Sequence, residues 1–180
     1  MKPQVASLAL VLVVGAPLLA VLLVLAGCGY AYVAQPITTE IPRIPWLSAD
    51  TVVNVSDERT TYVVGLDWVE RDGGAALAAA IEETIRFALS PRGDGAAPIC
   101  RVQVTVLNHE VENKGFFWQG YTSLRTVVAT TSGEEVAHWD TDDRHAEWAN
   151  SRDAAQRSLR GALRKLTRVM ADHPGLRACG

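Results

Sequence analysis

The sequence predicts an α+β fold: a two-layer sandwich in which a mostly antiparallel sheet carries its helices on one face. Two amphipathic stripes with helical spacing flank three alternating segments that are separated by turn residues. Each stripe and each alternating segment has one apolar face to bury. One sheet with both helices on the same side buries all of these faces together.

The first elements are predicted from residue 51 onward. Segments 51–55 and 61–69 are rich in Val, Thr, Tyr and Trp, which strands favour, and the polar stretch 56–59 indicates a turn between them. A helix is predicted over 75–89, ended by Pro91 and Gly93. Its apolar positions recur every three or four residues: Leu77, Ala78, Ile81, Ile85, Ala88 and Leu89.

A three-strand antiparallel meander follows. Strands are predicted over 99–111 and 116–131, and a third begins at 135 and continues to about 148. Asn-Lys-Gly at 113–115 and Thr-Ser-Gly-Glu at 131–134 supply the turns.

The last element is a helix over about 152–172. Asn150 or Ser151 can cap its first turn, and Pro174 with Gly175 ends it. One face is apolar: Ala155, Leu159, Ala162, Leu163, Leu166, Val169 and Met170.

The N-terminus carries a targeting pattern. The 22 positions from Val5 to Ala26 contain no charged residue, and Lys2 is the only basic residue before them. That length suits either a membrane-spanning helix or a secretory signal. The sequence Leu25-Ala26-Gly27-Cys28 resembles the bacterial lipobox, in which the cysteine receives lipid. We therefore expect residues 1–27 to be a lipoprotein signal peptide, with an uncleaved anchor helix as the alternative.

Cleavage before Cys28 would leave 153 of the 180 residues, with a formal charge of −4 because Lys2 is lost from a total of −3. Diacylglycerol and an N-acyl chain on Cys28 would anchor the protein stably. Position 29 is Gly, whereas Asp there resembles an inner-membrane retention signal. The expected location is the outer membrane, with the protein facing the periplasm.

Residues 28–50 are predicted to form the lipidated cysteine and a Pro-containing tether, and residues 51–180 one periplasmic domain. Three prolines, Pro36, Pro42 and Pro45, restrict the backbone of this tether. Its apolar residues can alternatively pack on the domain: Ile41, Ile44, Trp46 and Leu47.

Two cysteines remain besides Cys28. An oxidising periplasm permits a disulfide between Cys100 and Cys179, and the alternative is two unpaired thiols. The sequence contains no C-x-x-C pair and no zinc-finger spacing.

No nucleophile elbow, phosphate-binding loop or zinc-protease motif occurs in the sequence. His138, Asp140 and Asp142 share one face of a predicted strand, with Asp143 and His145 on the other. Carboxylates and imidazoles can bind a metal, but charges on a solvated strand end also deter aggregation. We expect no catalytic residue, no metal and no cofactor beyond the covalent lipid.

Four arginines lie on one line of the last predicted helix: Arg157, Arg160, Arg164 and Arg168. Guanidinium groups in a row suit phosphates or carboxylates, such as those of phospholipid or lipopolysaccharide. The alternative is an ordinary solvated helix face. Nucleic acid is not expected, because the chain is acidic overall and its expected compartment contains none.

An aromatic cluster follows the first meander turn. In a strand over this cluster, Phe116 and Trp118 point to one side and Phe117 and Tyr121 to the other. If the first side is core, Phe117 and Tyr121 are candidates for contact with a partner. The alternative is a strand covered on both faces.

The segment Leu-Ala-Gly-Cys-Gly-Tyr, followed by a strand, a helix, a meander and a final helix, resembles the LptE family of lipopolysaccharide-assembly lipoproteins. Small YajG-type lipoproteins have a similar plan. The resemblance to LptE implies lipopolysaccharide binding and a barrel partner. We therefore expect a non-catalytic binding or assembly factor, with an outer-membrane or envelope protein complex as its partner. The alternatives are a lipid-binding auxiliary lipoprotein of an envelope ABC transporter and a metal-dependent periplasmic enzyme.

Mass spectrometry of the mature protein tests the lipobox interpretation. We expect a chain that begins at an acylated Cys28, because the small residues before it admit the signal peptidase. Substitution Cys28→Ser should abolish both processing and membrane attachment. A mature protein that retains residues 1–27 would contradict the prediction.

Overall fold

Two α-helices and six β-strands occupy the residues that the computed structural model describes, which are 32–59, 74–90, 99–148 and 150–179. The elements are β1 (Ile44–Ser48), β2 (Val52–Asp57), α1 (Ala75–Ala88), β3 (Leu89–Ser90), β4 (Cys100–Asn113), β5 (Trp118–Thr130), β6 (Glu135–Glu147) and α2 (Ser151–Asp172). A 3₁₀ turn over Pro174–Cys179 follows α2. Residues 31–180 form one compact unit. No described helix is both long and apolar enough to cross a membrane.

The main sheet has the strand order β2-β4-β5-β6. The strands β4, β5 and β6 form the predicted antiparallel meander, and β2 pairs with β4 in parallel. At the first turn the Asn113 side chain accepts a hydrogen bond of 2.7 Å from the Gly115 amide, and Gly115 has a φ of 87°. Glycine adopts that left-handed conformation without steric cost. The chemistry of the turn thus fixes the register of the hairpin.

The two faces of the sheet differ in polarity. Alternate residues of β4 and β5, including Val102, Val104 and Leu124, are fully buried toward the helices. The intervening positions, such as Gln103 and Arg125, are exposed on the opposite face. One dry face explains why both helices lie on the same side, and the predicted α+β two-layer sandwich is confirmed.

Both helices bury the stripes that the sequence indicates. The buried residues of α1 are Leu77, Ala80, Ile81, Thr84, Ile85 and Ala88. Those of α2 are Ser151, Ala154, Ala155, Ser158, Leu159, Ala162, Leu163, Leu166, Thr167 and Met170. Asn150 caps α2 as predicted, since its side chain accepts a hydrogen bond of 2.8 Å from the Asp153 amide.

The first turn of α2 lies directly on β5 at Gly120. A Cβ atom added there would lie 2.1 Å from the carbonyl oxygen of Ala154, well inside van der Waals contact. Only a residue without a side chain permits this approach. Gly120 therefore determines where the N-terminal end of α2 is placed.

The described part of the predicted tether belongs to the domain. Most of its apolar residues are buried, whereas Val33 and the prolines are not. The residues that lie in the core are Tyr32, Ala34, Ile37, Ile41, Ile44 and Leu47. The Ile37 amide donates to Thr84 Oγ1 of α1 (2.9 Å), and Trp46 Nε1 donates to the carbonyl oxygen of Ala171 in α2 (2.9 Å). The segment thus bridges the two helices, and the domain begins earlier than the predicted boundary at residue 51.

Cys100 and Cys179 form a disulfide in the structure, with Cα atoms 5.3 Å apart. The sequence left open whether these two cysteines form a disulfide or stay as unpaired thiols, and in the structure they are paired. The bond joins the start of β4 to the terminal 3₁₀ turn across 79 positions of sequence. It therefore fastens the C-terminal tail to the sheet.

Three predictions lie outside the described residues. They are the signal peptide over residues 1–27, the lipidated Cys28, and the strand over 61–69. They stay predictions.

Reduction of the Cys100–Cys179 bond should lower the free energy of unfolding by about 2–4 kcal/mol, because the open chain gains conformational entropy in the unfolded state. Chemical denaturation of the mature protein with and without reductant measures the change. The double variant Cys100→Ala/Cys179→Ala is the control and should not respond to reductant. Equal unfolding midpoints for the wild type in both conditions would contradict the expectation.

Candidate functional site

The exposed side of α2 carries the four predicted arginines, which we call the arginine face: Arg157, Arg160, Arg164 and Arg168. All four side chains are exposed. Steps of three and four residues place them on one side of the helix, away from its buried stripe. The local pattern of the sequence is therefore enough to bring these residues together.

Two members of the arginine face form surface ion pairs. Arg157 Nη1 lies 3.0 Å from Glu147 Oε2, and Arg164 Nη1 lies 3.7 Å from Glu40 Oε2. Both arginine side chains are about half exposed, at 51% and 49%. Glu147 is only 15% exposed, so its pair with Arg157 is partly buried. The Arg164–Glu40 pair is exposed on both sides, contributes at most about 1 kcal/mol, and can be displaced by an incoming anion.

The other two members, Arg160 and Arg168, make no hydrogen bond or ion pair with another residue in the described part of the chain. Their guanidinium groups carry five N–H donors each in a fixed planar arrangement. These two exposed cations each lie one helical turn from the displaceable Arg164, and the three together form a surface that can hold phosphate or carboxylate groups.

A groove of about 380 Å³ adjoins the arginine face, between α2 and the edge strand β6. It is lined by Asp143, Gly161, Arg164, Lys165, Arg168 and Val169. Lys165 Nζ lies 2.7 Å from Asp143 Oδ1 and donates to the carbonyl oxygen of Asp142 (2.7 Å), so it closes one side. A Cβ at Gly161 would lie 2.0 Å from Asp143 Oδ2, so glycine there leaves room for the Asp143 side chain beside the helix.

The acidic and imidazole side chains of β6 do not converge on one point. The register places His138, Asp140 and Asp142 on the outer face of the sheet and Asp143 and His145 on the helix side, as predicted. Asp140 accepts two hydrogen bonds from Arg125, at 3.0 and 3.2 Å. Hydrogen bonding to that guanidinium lowers the pKa of the Asp140 carboxyl.

His138 Nδ1 lies 2.6 Å from Glu135 Oε1, on the same outer face. Within the described ranges no group of three or more His, Cys, Asp or Glu residues is placed to hold a metal ion. His138, Asp140 and Asp143 instead pair with neighbouring side chains.

The aromatic residues divide into two sites. Tyr121 lies on the outer face, with the Arg144 guanidinium 4.9 Å from its ring centroid. Phe117 instead packs against Trp148, with ring centroids 5.8 Å apart. Phe116 was expected to lie in the strand, but β5 begins at Trp118 and Phe116 stands in the preceding turn, 87% exposed.

A buried polar chain lies under α2 and was not expected from the sequence. His109 Nδ1 is 2.9 Å from Thr122 Oγ1, which is 2.9 Å from Ser158 Oγ, and Ser158 donates to the carbonyl oxygen of Ala155. Because the single Ser158 proton is used there, Thr122 donates to Ser158 and the His109 Nδ1–H donates to Thr122. The chain therefore fixes the neutral tautomer of His109.

The charged form of His109 is strongly disfavoured. Its side chain is 1% exposed, and burial, with the nearby Arg59 charge as a second cause, lowers its pKa from 6.5 to about 3. A bulge between Val106 and Asn108 shifts the alternation of β4, so that His109 faces the helices. Simple alternation from Val102, Val104 and Val106 places His109 on the wet face, which is why the sequence did not reveal it.

Solved proteins with a similar structure include the following three. A DUF330 protein from Xanthomonas campestris has 13% identity and a TM-score of 0.49 over 77% of this chain and 91% of its own. A candidate lipoprotein from Caulobacter crescentus has 14% identity and a TM-score of 0.42 over 69% and 89%. An uncharacterised protein has 9% identity and a TM-score of 0.34 over 77% and 97%.

No family model and no curated protein sequence matches the chain. None of the three descriptions names a lipopolysaccharide-assembly protein. Because all three TM-scores are below 0.5, these structural similarities support no conclusion about function. Any functional assignment therefore depends on the sequence and the surface geometry.

The depressed pKa of His109 predicts acid sensitivity. Between pH 6.5 and about 3 the unfolded chain binds a proton that the folded protein does not, so the free energy of unfolding decreases as the pH falls through this window. The slope from this group is at most about 1.4 kcal/mol per pH unit. Denaturation of the mature protein across this range measures it.

The variant His109→Gln should show a shallower pH dependence than the wild type, even if it is less stable overall. The control Gln103→Asn changes an exposed side chain that does not titrate and should retain the wild-type slope. An unchanged slope in His109→Gln would show that another group is responsible.

Proposed function

We propose that this chain is a lipoprotein anchored through Cys28 to the outer membrane, facing the periplasm, and that it acts as a non-catalytic binding or assembly factor of the cell envelope. The lipobox at 25–28 supports the anchor. The single observation that carries the binding role is the arginine face, with Arg160 and Arg168 exposed and engaged by no other described side chain.

The ligand class follows from the geometry of this face. Successive members of the face are separated by about 4.5–6 Å along α2, which matches several anionic groups on one molecule rather than a single small ion. Hydrogen bonds between guanidinium and phosphate are charge-assisted and often bidentate. In the proposed compartment, such anions are the phosphates of lipopolysaccharide, delivered to or received from an envelope protein complex.

The groove beside Arg164 and Arg168 favours a second candidate, a lipid-binding auxiliary lipoprotein of an envelope ABC transporter. Its wall includes the apolar side chain of Val169 as well as the two arginines. A phospholipid head group could bind the arginines while the start of an acyl chain contacts Val169. The identity of the bound lipid separates the two candidates.

Charge reversal at Arg160→Glu with Arg164→Glu should remove lipid that co-purifies with the protein. Each lost charge-assisted hydrogen bond is worth about 1.5–3 kcal/mol, so we expect at least a roughly tenfold loss of affinity. Mass spectrometry of extracted lipid gives both the amount and the identity. Lipopolysaccharide supports the first candidate and phospholipid the second.

The matched control is Arg86→Glu with Arg101→Glu, which changes the net charge equally at exposed positions on α1 and β4. It should leave the bound lipid unchanged. Equal loss from both double variants would show a general charge effect and would contradict a site on α2. Crosslinking in intact cells would identify the partner complex.

A further inference from the structure

Two aromatic rings at one end of the domain are the most exposed large apolar side chains in the described residues. Phe116 is 87% exposed in the β4–β5 turn, and Trp148 is 73% exposed just after β6. Phe117 joins them, because its ring centroid is 5.8 Å from that of Trp148. We call Phe116, Phe117 and Trp148 the aromatic tip.

The described chain begins at this same end. The Tyr32 ring centroid is 5.5 Å from that of His109, near the end of β4 that leads to the turn. The Gln156 side chain accepts from the Gln35 amide (3.1 Å) and donates to its carbonyl oxygen (2.7 Å), which holds the segment to the second turn of α2. Trp148 lies only three residues before the start of that helix.

The covalent distance to the proposed anchor is short. Cys28 precedes Tyr32 by four residues, which can span at most about 14 Å when fully extended. A bilayer is about 40–45 Å thick including its head groups. If Cys28 carries lipid, the end of the domain that contains Tyr32 must stay close to the membrane surface.

We propose that the aromatic tip inserts into the interfacial layer of the phospholipid membrane that holds the Cys28 anchor. This inference rests on the lipidation proposed above. Trp and Phe rings favour the boundary between head groups and acyl chains. The apolar ring contacts the acyl chains there, and the indole N–H of Trp can still donate a hydrogen bond at the head-group level. The tip thus forms a second, non-covalent contact that fixes the orientation of the domain.

The size and charge of the tip favour lipid over protein. Three aromatic side chains would contribute about 450–750 Å² if fully buried, and Phe117 and Trp148 already cover part of each other, whereas a stable protein interface buries about 800 Å² on each partner. The nearest basic residue in the turn, Lys114, is already paired with Glu112. Insertion therefore depends on apolar contact and needs no anionic lipid.

The test uses the full chain, lipidated by the expressing cell and reconstituted into phosphatidylcholine vesicles with brominated acyl chains, which quench nearby tryptophan. We expect quenching in the wild type that is largely lost in Trp148→Phe. The control Trp46→Phe removes a tryptophan beside Ala171, at the other end of α2, and should retain the quenching. Trp148 is exposed, so its replacement leaves the core intact.

Four outcomes overturn the inference. Equal quenching in wild type and Trp148→Phe places the lipid contact elsewhere. If the wild type is acylated and bound to vesicles but shows no quenching, insertion of the aromatic tip is wrong and lipidation of Cys28 still holds. If the chain is not acylated, both proposals are wrong. Self-association in solution that disappears in Trp148→Phe would assign the tip to a second copy of the chain.

Discussion

The placement of α2 on the sheet is the constraint on which the other features depend. Gly120 lets the first turn of the helix touch β5, and the Ser158–Thr122–His109 chain links the helix to two strands beneath it. Together they fix the distance of α2 from the sheet and the rotation of the helix about its own axis. Because the rotation is fixed, the apolar stripe is buried and the arginine face points outward.

The same placement organises the N-terminal segment. Gln156 of α2 holds residue 35, Ala171 near its end accepts from Trp46, and the apolar residues between them enter the core that α1 and the sheet share. Prolines in this segment prevent it from pairing as a regular strand throughout, yet they leave the Ile and Leu side chains free to pack. Burial of these side chains, together with the hydrogen bonds to Gln156 and Ala171, therefore retains it.

The meander and both helices were predictable because their patterns are local: turn residues at 113–115 and 131–134, and apolar spacing along each helix. The arginine face follows from the same helical spacing. The bulge after Val106 and the packing of the proline-containing segment were not predictable, because each is decided by tertiary contacts. For that reason the sequence did not predict the roles of His109 and Trp148. His109 faces inward because of the bulge, and Trp148 contacts Phe117 only in the folded protein.

The attachment of residues 32–48 to the two helices determines how a force on the N-terminus would be transmitted if the protein is anchored there. A flexible linker would absorb such a force without disturbing the domain. Here a force applied at Tyr32 is carried at once to Gln156 and to the core beneath α2. If the proposed anchor and a partner on the arginine face pulled on the domain from two sides, the force would reach the N-terminal end of α2 through these few contacts. The domain would then transmit the force instead of letting a flexible linker absorb it.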